Sequence, residues 1–234
     1  MILVTGDTHG TIDYQKINRI VELNLLTKED YLIIAGDFGA IWNKNTLDRD
    51  LYYYTKLPFM VLFVDGNHEN FDLLNSYPIT TWNGGKIHKI KDNVIHLMRG
   101  QIYSLEGNTI FTFGGGTSID KYRRCEHRSW WKEEIPSSME LEEAKQNLLK
   151  HNNQVDYIIT HSIDSKALYS PNLYVYGNKC EAFIDNEMLD YFEENIKYKH
   201  WYFGHYHLDS KINDKKTCLY NNVIVCVSPF LNKG

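Results

Sequence analysis

The chain has little cysteine and no long apolar run, and both shortages narrow what it can be. Four cysteines occur in 234 residues, and no two of them have the C-x-x-C spacing. A structural zinc site, a redox dithiol or a disulfide framework is therefore not expected. No apolar run approaches the roughly 20 residues that cross a bilayer, and the N-terminal MILVTGDTHG reads as a strand without a basic, apolar leader. We therefore expect a cytoplasmic protein with no membrane partner.

Excess positive charge is also missing. The formal net charge is -5 at pH 7 and the sequence pI is near 6.0, so the chain lacks the broad positive field with which nucleic-acid binders collect phosphates. Long nucleic acid is not an expected partner, and any phosphate would have to be held by a metal or a few cations. The length and the 43% hydrophobic content suit one large domain. With no linker or repeat, a single domain over 1–234 is predicted.

Short apolar runs alternate with amphipathic stretches along the chain, which is typical of a layered α/β domain. Strands buried on both faces are predicted at 2–4, 31–35, 59–64, 155–159 and 200–203. Helical spacing occurs at 17–25, 139–150 and 185–195, with Ser137 or Ser138 as a cap for the second helix. The short strands within 86–113 predict an antiparallel meander, and 210–227 has a similar pattern.

All five buried-strand patterns end in side chains that can bind metals, and four of them place a glycine beside these groups. The chemical groups are carboxylates, an amide and imidazoles: Asp7, His9, Asp37, Asn67, His68, His161, His205 and His207. Since the carboxyl ends of parallel strands meet at one edge of a sheet, we expect these groups to converge there. Clustered buried carboxylates and imidazoles are unfavourable unless a cation compensates them. The pattern therefore predicts a metal centre.

These motifs resemble, in order, the five signature blocks of the calcineurin-like metallophosphoesterase family. The blocks are Asp7-x-His9, Gly36-Asp37, Gly66-Asn67-His68-Glu69, His161 and Gly204-His205-x-His207, and they span 6–207. The resemblance implies a four-layer αββα sandwich with mixed sheets and two metal ions at the strand ends. It implies one ion on Asp7, His9 and His207, a second on Asn67, His161 and His205, Asp37 as a bridge, and His68 facing the substrate.

The predicted ligands mix hard oxygen and imidazole nitrogen donors without a thiolate. Such a set suits divalent transition metals better than an all-oxygen magnesium or calcium site, so manganese is the first choice and iron, zinc, cobalt or nickel are alternatives. Two ions can share and activate a water, which predicts phosphoester hydrolysis by a bridging hydroxide. His68 is then the residue that gives a proton to the leaving oxygen.

Differences from one branch of the family narrow the range of expected substrates. The protein Ser/Thr phosphatase branch has G-D-x-x-D-R-G in its second block, where this chain has Ala40 and Ile41 in place of the second Asp and the Arg. That branch also has Arg where this chain has Asp65. Small or nucleotide-type phosphodiesters are therefore favoured slightly. A phosphomonoesterase, including one acting on phosphoprotein, is the alternative, and a non-catalytic metal-binding interaction module is a third hypothesis.

A segment at 114–131 offers replacements for the missing cations. It follows a strand with three glycines and then interleaves basic and aromatic residues. Arg123, Arg124 and Arg128 are candidate substrate-binding residues, although a solvated loop with packed aromatics explains the pattern equally well. The tyrosine-rich 169–176 is a second candidate wall, with ordinary packing as the more frequent role for such a stretch.

Overall fold

Strands and helices alternate along the chain. The structure is a computed structural model that describes residues 1–24, 26–173 and 182–228. The helices there are α1 (Gln15–Glu22), α2 (Leu47–Thr55), α3 (Phe71–Leu74), α4 (Ser138–Lys150), α5 (Ser165–Leu168) and α6 (Ile184–Asn195). The strands there are β1 (Ile2–Thr5), β2 (Tyr31–Ala35), β3 (Met60–Val64), β4 (Ile79–Trp82), β5 (Gly85–Lys91), β6 (Val94–Leu97), β7 (Gln101–Leu105), β8 (Asn108–Phe113), β9 (Tyr157–Thr160), β10 (His200–Phe203), β11 (Ser210–Asn213), β12 (Lys216–Cys218) and β13 (Val223–Val227).

The strands form two mixed sheets. The first has the order β13-β1-β2-β3-β6-β5-β4, and the second has the order β11-β12-β10-β9-β8-β7. In the first sheet β1, β2, β3 and β6 run parallel, and in the second β8, β9, β10 and β12 run parallel. Each sheet therefore has a parallel centre, and the carboxyl ends of its central strands lie at one edge.

Alternation of side chains along the strands gives three hydrophobic cores and hence four layers. Leu3 of β1 packs with α1 and α2 on the outer face of the first sheet, whereas Ile2 and Val4 face the second sheet. In the second sheet Phe111 packs with α4 and α6 on the outside, and its neighbour Ile110 faces the first sheet. The mixed α/β architecture with helices outside two packed sheets confirms the predicted fold class.

Capping residues and apolar spacing in the sequence correctly predicted the positions of α1, α4 and α6, apart from the end of α1. Helix α4 begins with a capping box, in which the Ser137 side chain accepts a hydrogen bond from the Glu140 N–H and the Glu140 carboxylate accepts one from the Ser137 N–H. Ala144 and Leu148 bury its inner face. Helix α1 ends at Glu22, earlier than the apolar spacing predicts, and Leu25 lies outside the described residues.

The predicted meander over 86–113 is wrong in its topology. Its four strands form two hairpins, β5–β6 and β7–β8, but β6 continues the first sheet beside β3 and β8 joins the second beside β9. The chain crosses from one sheet to the other between Leu97 and Gln101. Antiparallel hairpins in sequence look alike whether one sheet or two receives them, so the pattern could not distinguish these cases.

No helix in the described residues is both long and apolar enough to span a membrane. The single-domain arrangement over 1–234 stays a prediction.

Candidate metal centre

The metal-binding residue types converge where the central strands of both sheets end. β1, β2 and β3 deliver side chains from the first sheet, and β9 and β10 deliver them from the second. Residues from the beginning, middle and end of the chain thus meet in one cluster: Asp7, His9, Asp37, Asn67, His68, His161, His205 and His207.

One half of the cluster consists of Asp7, His9 and His207. Their candidate ligand atoms all lie within 4.8 Å of one another. Oδ2 of Asp7 lies 3.1 Å from Nε2 of His207. This pair is not aligned as a hydrogen bond, and Oδ2 is buried with no hydrogen-bond partner among the described residues. An ionised, buried oxygen of this kind is stable only if a cation or donor reaches it.

The other half consists of Asn67, His161 and His205. Nε2 of His161 lies 3.0 Å from Oδ1 of Asn67 and 3.1 Å from Nδ1 of His205. Asp37 lies between the two halves, because its Oδ2 is 3.3 Å from Nε2 of His9 and its Oδ1 is 3.3 Å from Nε2 of His161. Each carboxylate oxygen of Asp37 therefore faces one half.

The donor set fits divalent cations. Nδ1 of His161 lies 3.1 Å from the carbonyl oxygen of Ala35, to which it must donate, so in the neutral form of the ring, the form that binds metals, Nε2 carries the lone pair. That lone pair faces Oδ1 of Asn67 at 3.0 Å and Oδ1 of Asp37 at 3.3 Å. Three acceptors facing one another repel unless a cation lies among them. These facing acceptors in the second half, and the unpaired Asp7 oxygen in the first half, are both features that a bound cation would compensate.

The backbone is bent to bring these ligands in. His9, Asp37, His205 and His207 have φ of 44°, 45°, 69° and 51°, the left-handed region that non-glycine residues rarely occupy.

Two glycines, each directly before a candidate ligand, make the close approach of these ligands possible. A Cβ on Gly36 would lie 2.0 Å from Nδ1 of His161, and one on Gly66 would lie 2.1 Å from Oδ1 of Asp37. Any side chain at either position would therefore displace a candidate ligand.

The electrostatics keep the carboxylates ionised and one imidazole neutral. Burial opposes ionisation of Asp37, but His161 and His9 hold its pKa well below the usual range. The pKa of Asp7 is lowered in the same sense, with burial opposing and His207 and His161 favouring the charged form. Burial, with His161 nearby, lowers the pKa of His205 to about 4. These are the protonation states that metal ligands need.

His68 contacts both the cluster and Arg124. Its backbone N–H donates to Oδ1 of Asp37 at 2.7 Å. Its Nε2 lies 3.3 Å from Nη2 of Arg124, which is itself held by Asp120 through a 2.8 Å contact. Burial lowers the pKa of His68, Asp37 raises it, and Arg124 lowers it further. A ring nitrogen of His68 also lies within 4.8 Å of candidate ligand atoms of His9 and Asp37.

The segment 114–131 brings only part of its positive charge to the cluster. Arg124 is half-buried beside His68. Arg123 is exposed, with its guanidinium 5.1 Å from the ring centre of Tyr122, and Arg128 is exposed. Of the second candidate wall, 169–173 is described and 174–176 lies outside the described residues.

Two supporting residues were not identified from the sequence. Asp13 places Oδ2 2.7 Å from Nδ1 of His9 and so turns Nε2 of that ring toward Asp37. Lys16 is buried, and its ammonium donates to the carbonyl oxygens of Asp7, at 2.5 Å, and Tyr220. The H-G-x-x-D spacing after His9 was the available signal for Asp13, since four residues span one turn.

Asp65, which stands where the protein phosphatase branch has Arg, is part of a buried ion pair instead. Its Oδ2 accepts hydrogen bonds from Nε and Nη2 of Arg99 at 2.8 and 2.5 Å. Its Oδ1 lies 3.1 Å from Nε2 of His96. The carboxylate therefore faces away from the cluster, and it anchors the end of β3 from which Asn67 and His68 project.

Comparison with known proteins places this geometry in a family. The sequence model described as calcineurin-like phosphoesterase matches residues 1–209. Lariat debranching enzyme A of Xenopus laevis is 24% identical over 216 residues, which cover 84% of this chain and 37% of that protein. Lariat debranching enzyme of Schizosaccharomyces pombe is 29% identical over 136 residues, which cover 52% of this chain and 27% of that protein. The chain therefore spans well under half the length of these relatives.

Among solved structures, the phosphopantetheinyl hydrolase of Mycobacterium tuberculosis covers 94% of this chain and 87% of its own, at 14% identity and a TM-score of 0.40.

Proposed function

Because this chain belongs to the calcineurin-like phosphoesterase family, we propose that it is a metal-dependent phosphoric ester hydrolase, and that it hydrolyses small or nucleotide-type phosphodiesters with two divalent transition-metal ions. Manganese is the proposed metal, in keeping with the mixed oxygen and nitrogen donors. Asp7, His9 and His207 would hold one ion and Asn67, His161 and His205 the other. Asp37 would bridge them.

The observation that carries this proposal is the position of Asp37. One of its oxygens lies 3.3 Å from Nε2 of His9, and the other lies 3.3 Å from Nε2 of His161. A carboxylate that bound a single ion would not need one oxygen beside each of two different imidazole ligands. The ions, when bound, would activate water and stabilise the charge that grows on the phosphoryl oxygens.

The remaining chemistry belongs to side chains of the chain. Nη2 of Arg124 and Nε2 of His68 are 3.3 Å apart, so both can reach one bound phosphate. A phosphate there would pair with the guanidinium, and its negative charge would raise the pKa of His68. The imidazole would then be protonated as substrate binds and could donate its proton to the leaving oxygen. Asp120 keeps Arg124 directed at this position.

Two observations favour a diester with an organic group on each side. Ile119 and Tyr122, on the segment that carries Arg124, expose 76% and 74% of their surface. Such side chains can stack on or cover a base beside the phosphate. The debranching enzymes among the relatives also favour the diester.

Substrate preference is tested with the metal-stripped protein and each transition metal added in turn. The panel comprises an aryl phosphate monoester, its diaryl diester, a dinucleotide and a phosphopeptide. We expect the diesters to be hydrolysed with the highest kcat/KM and manganese to restore the most activity. A clear preference for the phosphopeptide would establish the phosphomonoesterase alternative instead. No hydrolysis of any ester by the metal-loaded protein would establish the third hypothesis, a metal-binding interaction module.

The role of His68 is tested by His68→Ala, with His151→Ala as the matched control because His151 is exposed. Loss of a general acid lowers kcat by about 10²- to 10⁴-fold. The loss should be smallest for a nitrophenyl leaving group, which departs without a proton, and metal content should be unchanged. An equal loss for all leaving groups would exclude proton donation by this residue.

The role of Asp37 is tested by Asp37→Asn and elemental analysis. Both ions should be weakened, because the amide retains one oxygen and has no charge. Full metal content in this variant would show that Asp37 does not bridge.

A further inference from the structure

An asparagine is a metal ligand only if its amide is turned the right way. Oδ1 of Asn67 lies 3.0 Å from Nε2 of His161, inside the cluster. Turning the amide by half a rotation would present the NH₂ group, which cannot bind a cation. A hydrogen bond at the other end of the amide would therefore fix which end faces inward before a metal binds.

The other end of the amide leads to two buried residues that the proposed reaction does not use. Nδ2 of Asn67 donates to Oγ of Ser118 at 3.1 Å. Oγ of Ser118 donates to Oε2 of Glu134 at 2.7 Å, and the backbone N–H of Ser118 donates to Oε1 at 2.9 Å. Ser118 is 3% exposed and Glu134 is fully buried.

The direction of this chain of hydrogen bonds follows from the donors available. Burial raises the pKa of Glu134, whereas the hydrogen bonds from the Ser118 N–H and hydroxyl favour its ionised form. In that form the carboxylate only accepts, and both of its oxygens are engaged by Ser118. The single hydroxyl proton of Ser118 is thus committed to Glu134, and its oxygen can only accept from the other side. An N–H of Asn67 meets that requirement, whereas its carbonyl oxygen does not.

We propose that Ser118 and Glu134 are positioning residues that hold the Asn67 amide with its oxygen toward the metal pair. The inference rests on the proposed function only in requiring that Asn67 bind a metal. It gives Ser118, on the segment 114–131, a role beside substrate contact, and Ser118 and Glu134 lie on either side of Arg124 in the sequence.

The decisive variant is Glu134→Gln, which has nearly the same shape. Its amide oxygen would accept the Ser118 N–H, and its NH₂ group would then face Oγ of Ser118. The hydroxyl proton would be free to point at Asn67, so the Asn67 amide would be driven to turn its oxygen outward. Reversal of this kind should weaken binding of one Mn²⁺ by about 10- to 100-fold, the usual effect of disrupting a group that orients a ligand.

Ser118→Ala removes the hydroxyl and with it the preference for either orientation. The metal can then select the amide oxygen, so we expect a smaller loss of affinity than in Glu134→Gln. In the double variant the amide introduced at position 134 has no hydroxyl through which to act on Asn67. The Mn²⁺ affinity of the double variant should therefore equal that of Ser118→Ala. If the two substitutions were unrelated structural defects, their losses of affinity would add instead.

The measurement is binding of Mn²⁺ alone to stripped protein, by competition with a chelator and by stoichiometry. Thr112→Val is the control for loss of a buried hydroxyl, because Oγ1 of Thr112 donates to the carbonyl oxygen of Met98 outside the cluster. Unfolding of the metal-free variants is followed in parallel. Since no ester is present, this experiment tests the positioning of Asn67 by Ser118 and Glu134 separately from the proposed hydrolysis.

Wild-type affinity for both ions in Glu134→Gln, or additive losses in the double variant, would overturn the proposal. If the parent chain binds fewer than two Mn²⁺, the proposed pair of metals fails, and if no Mn²⁺ binds at Asn67 the positioning proposal fails as well. If Glu134→Gln does not fold, Ser118→Thr and Ser118→Ala decide the matter. Threonine keeps the hydroxyl and should retain the affinity that alanine loses, and equal affinities would overturn the proposal.

Discussion

Replacing Arg99 by methionine would leave the buried Asp65 carboxylate without its counter-charge. Asp65 is 1% exposed and Arg99 is 7% exposed, and two guanidinium N–H groups donate to Oδ2 of Asp65 at 2.8 and 2.5 Å. Methionine preserves most of the aliphatic stem, so the change is mainly electrostatic. Breaking a buried ion pair by removal of one partner lowers the free energy of unfolding by about 3–5 kcal/mol. For a chain of this size that amounts to roughly 6–20 °C in Tm, at about 2–4 °C per kcal/mol.

The pH dependence gives this prediction a second readout. Burial opposes ionisation of Asp65, but Arg99 and His96 hold its pKa well below the usual range. The pair therefore stabilises the parent chain above the pKa of an unfolded aspartate, about 3.9, and this contribution is lost as the pH falls through the folded value. In Arg99→Met the unpaired Asp65 can take up a proton. The deficit relative to the parent chain should therefore shrink on acidification.

Urea unfolding of the metal-free protein is the assay, and Lys86→Met is the matched control. Lys86 pairs with Glu143 at 2.6 Å on the surface, and an exposed pair is worth less than about 1 kcal/mol. The double variant Asp65→Asn/Arg99→Met should recover part of the loss, because it removes the unpaired charge. The reasoning is refuted if Arg99→Met unfolds at the same urea concentration as the control, or if the losses of the two single variants simply add.

Three further predictions concern the cluster and its surroundings. Burial raises the pKa of Glu69 well above its usual value, so ionisation of this group destabilises the fold. Glu69→Gln should therefore become more stable relative to the parent chain as the pH rises, as measured by urea unfolding. A difference in urea midpoints that does not change with pH would contradict this. Asp13→Asn should weaken Mn²⁺ binding about tenfold in a chelator competition, since the 2.7 Å contact that orients His9 loses its charge, and unchanged affinity would remove Asp13 from the site. Burial lowers the pKa of His9, but Asp37, Asp7 and Asp13 raise it to about 9, so metal binding at neutral pH should release about one proton; calorimetry in two buffers of different ionisation enthalpy would show no difference if this is wrong.

Much of the architecture was predictable because each central strand carries its own signals. Val61 to Val64 is apolar, buried and followed at once by Asp65, Gly66 and Asn67. The order of such strands and the rule that ligands gather at parallel carboxyl ends were enough to bring the candidate ligands together.

The features that could not be predicted from the sequence depend on pairs of side chains that are distant in sequence. Ser118 and Glu134 are 16 positions apart, and Ser118 and Asn67 are 51 apart. Nothing local distinguishes Ser118 from any other loop serine. Asp65 was interpreted only as a missing arginine, because its partner Arg99 follows 34 positions later. The crossing between sheets after Leu97 is likewise set by tertiary packing.

The left-handed turns at His9, Asp37, His205 and His207 have a consequence for engineering. Each holds a bulky residue where glycine would sit more comfortably, at a penalty of about 1–2 kcal/mol. In an inert, heat-resistant scaffold, glycine at these corners would relieve the backbone, although at Asp37 it would also remove the acceptor of the His68 N–H. A designer seeking a better catalyst must leave all four alone and find thermal tolerance elsewhere in the molecule.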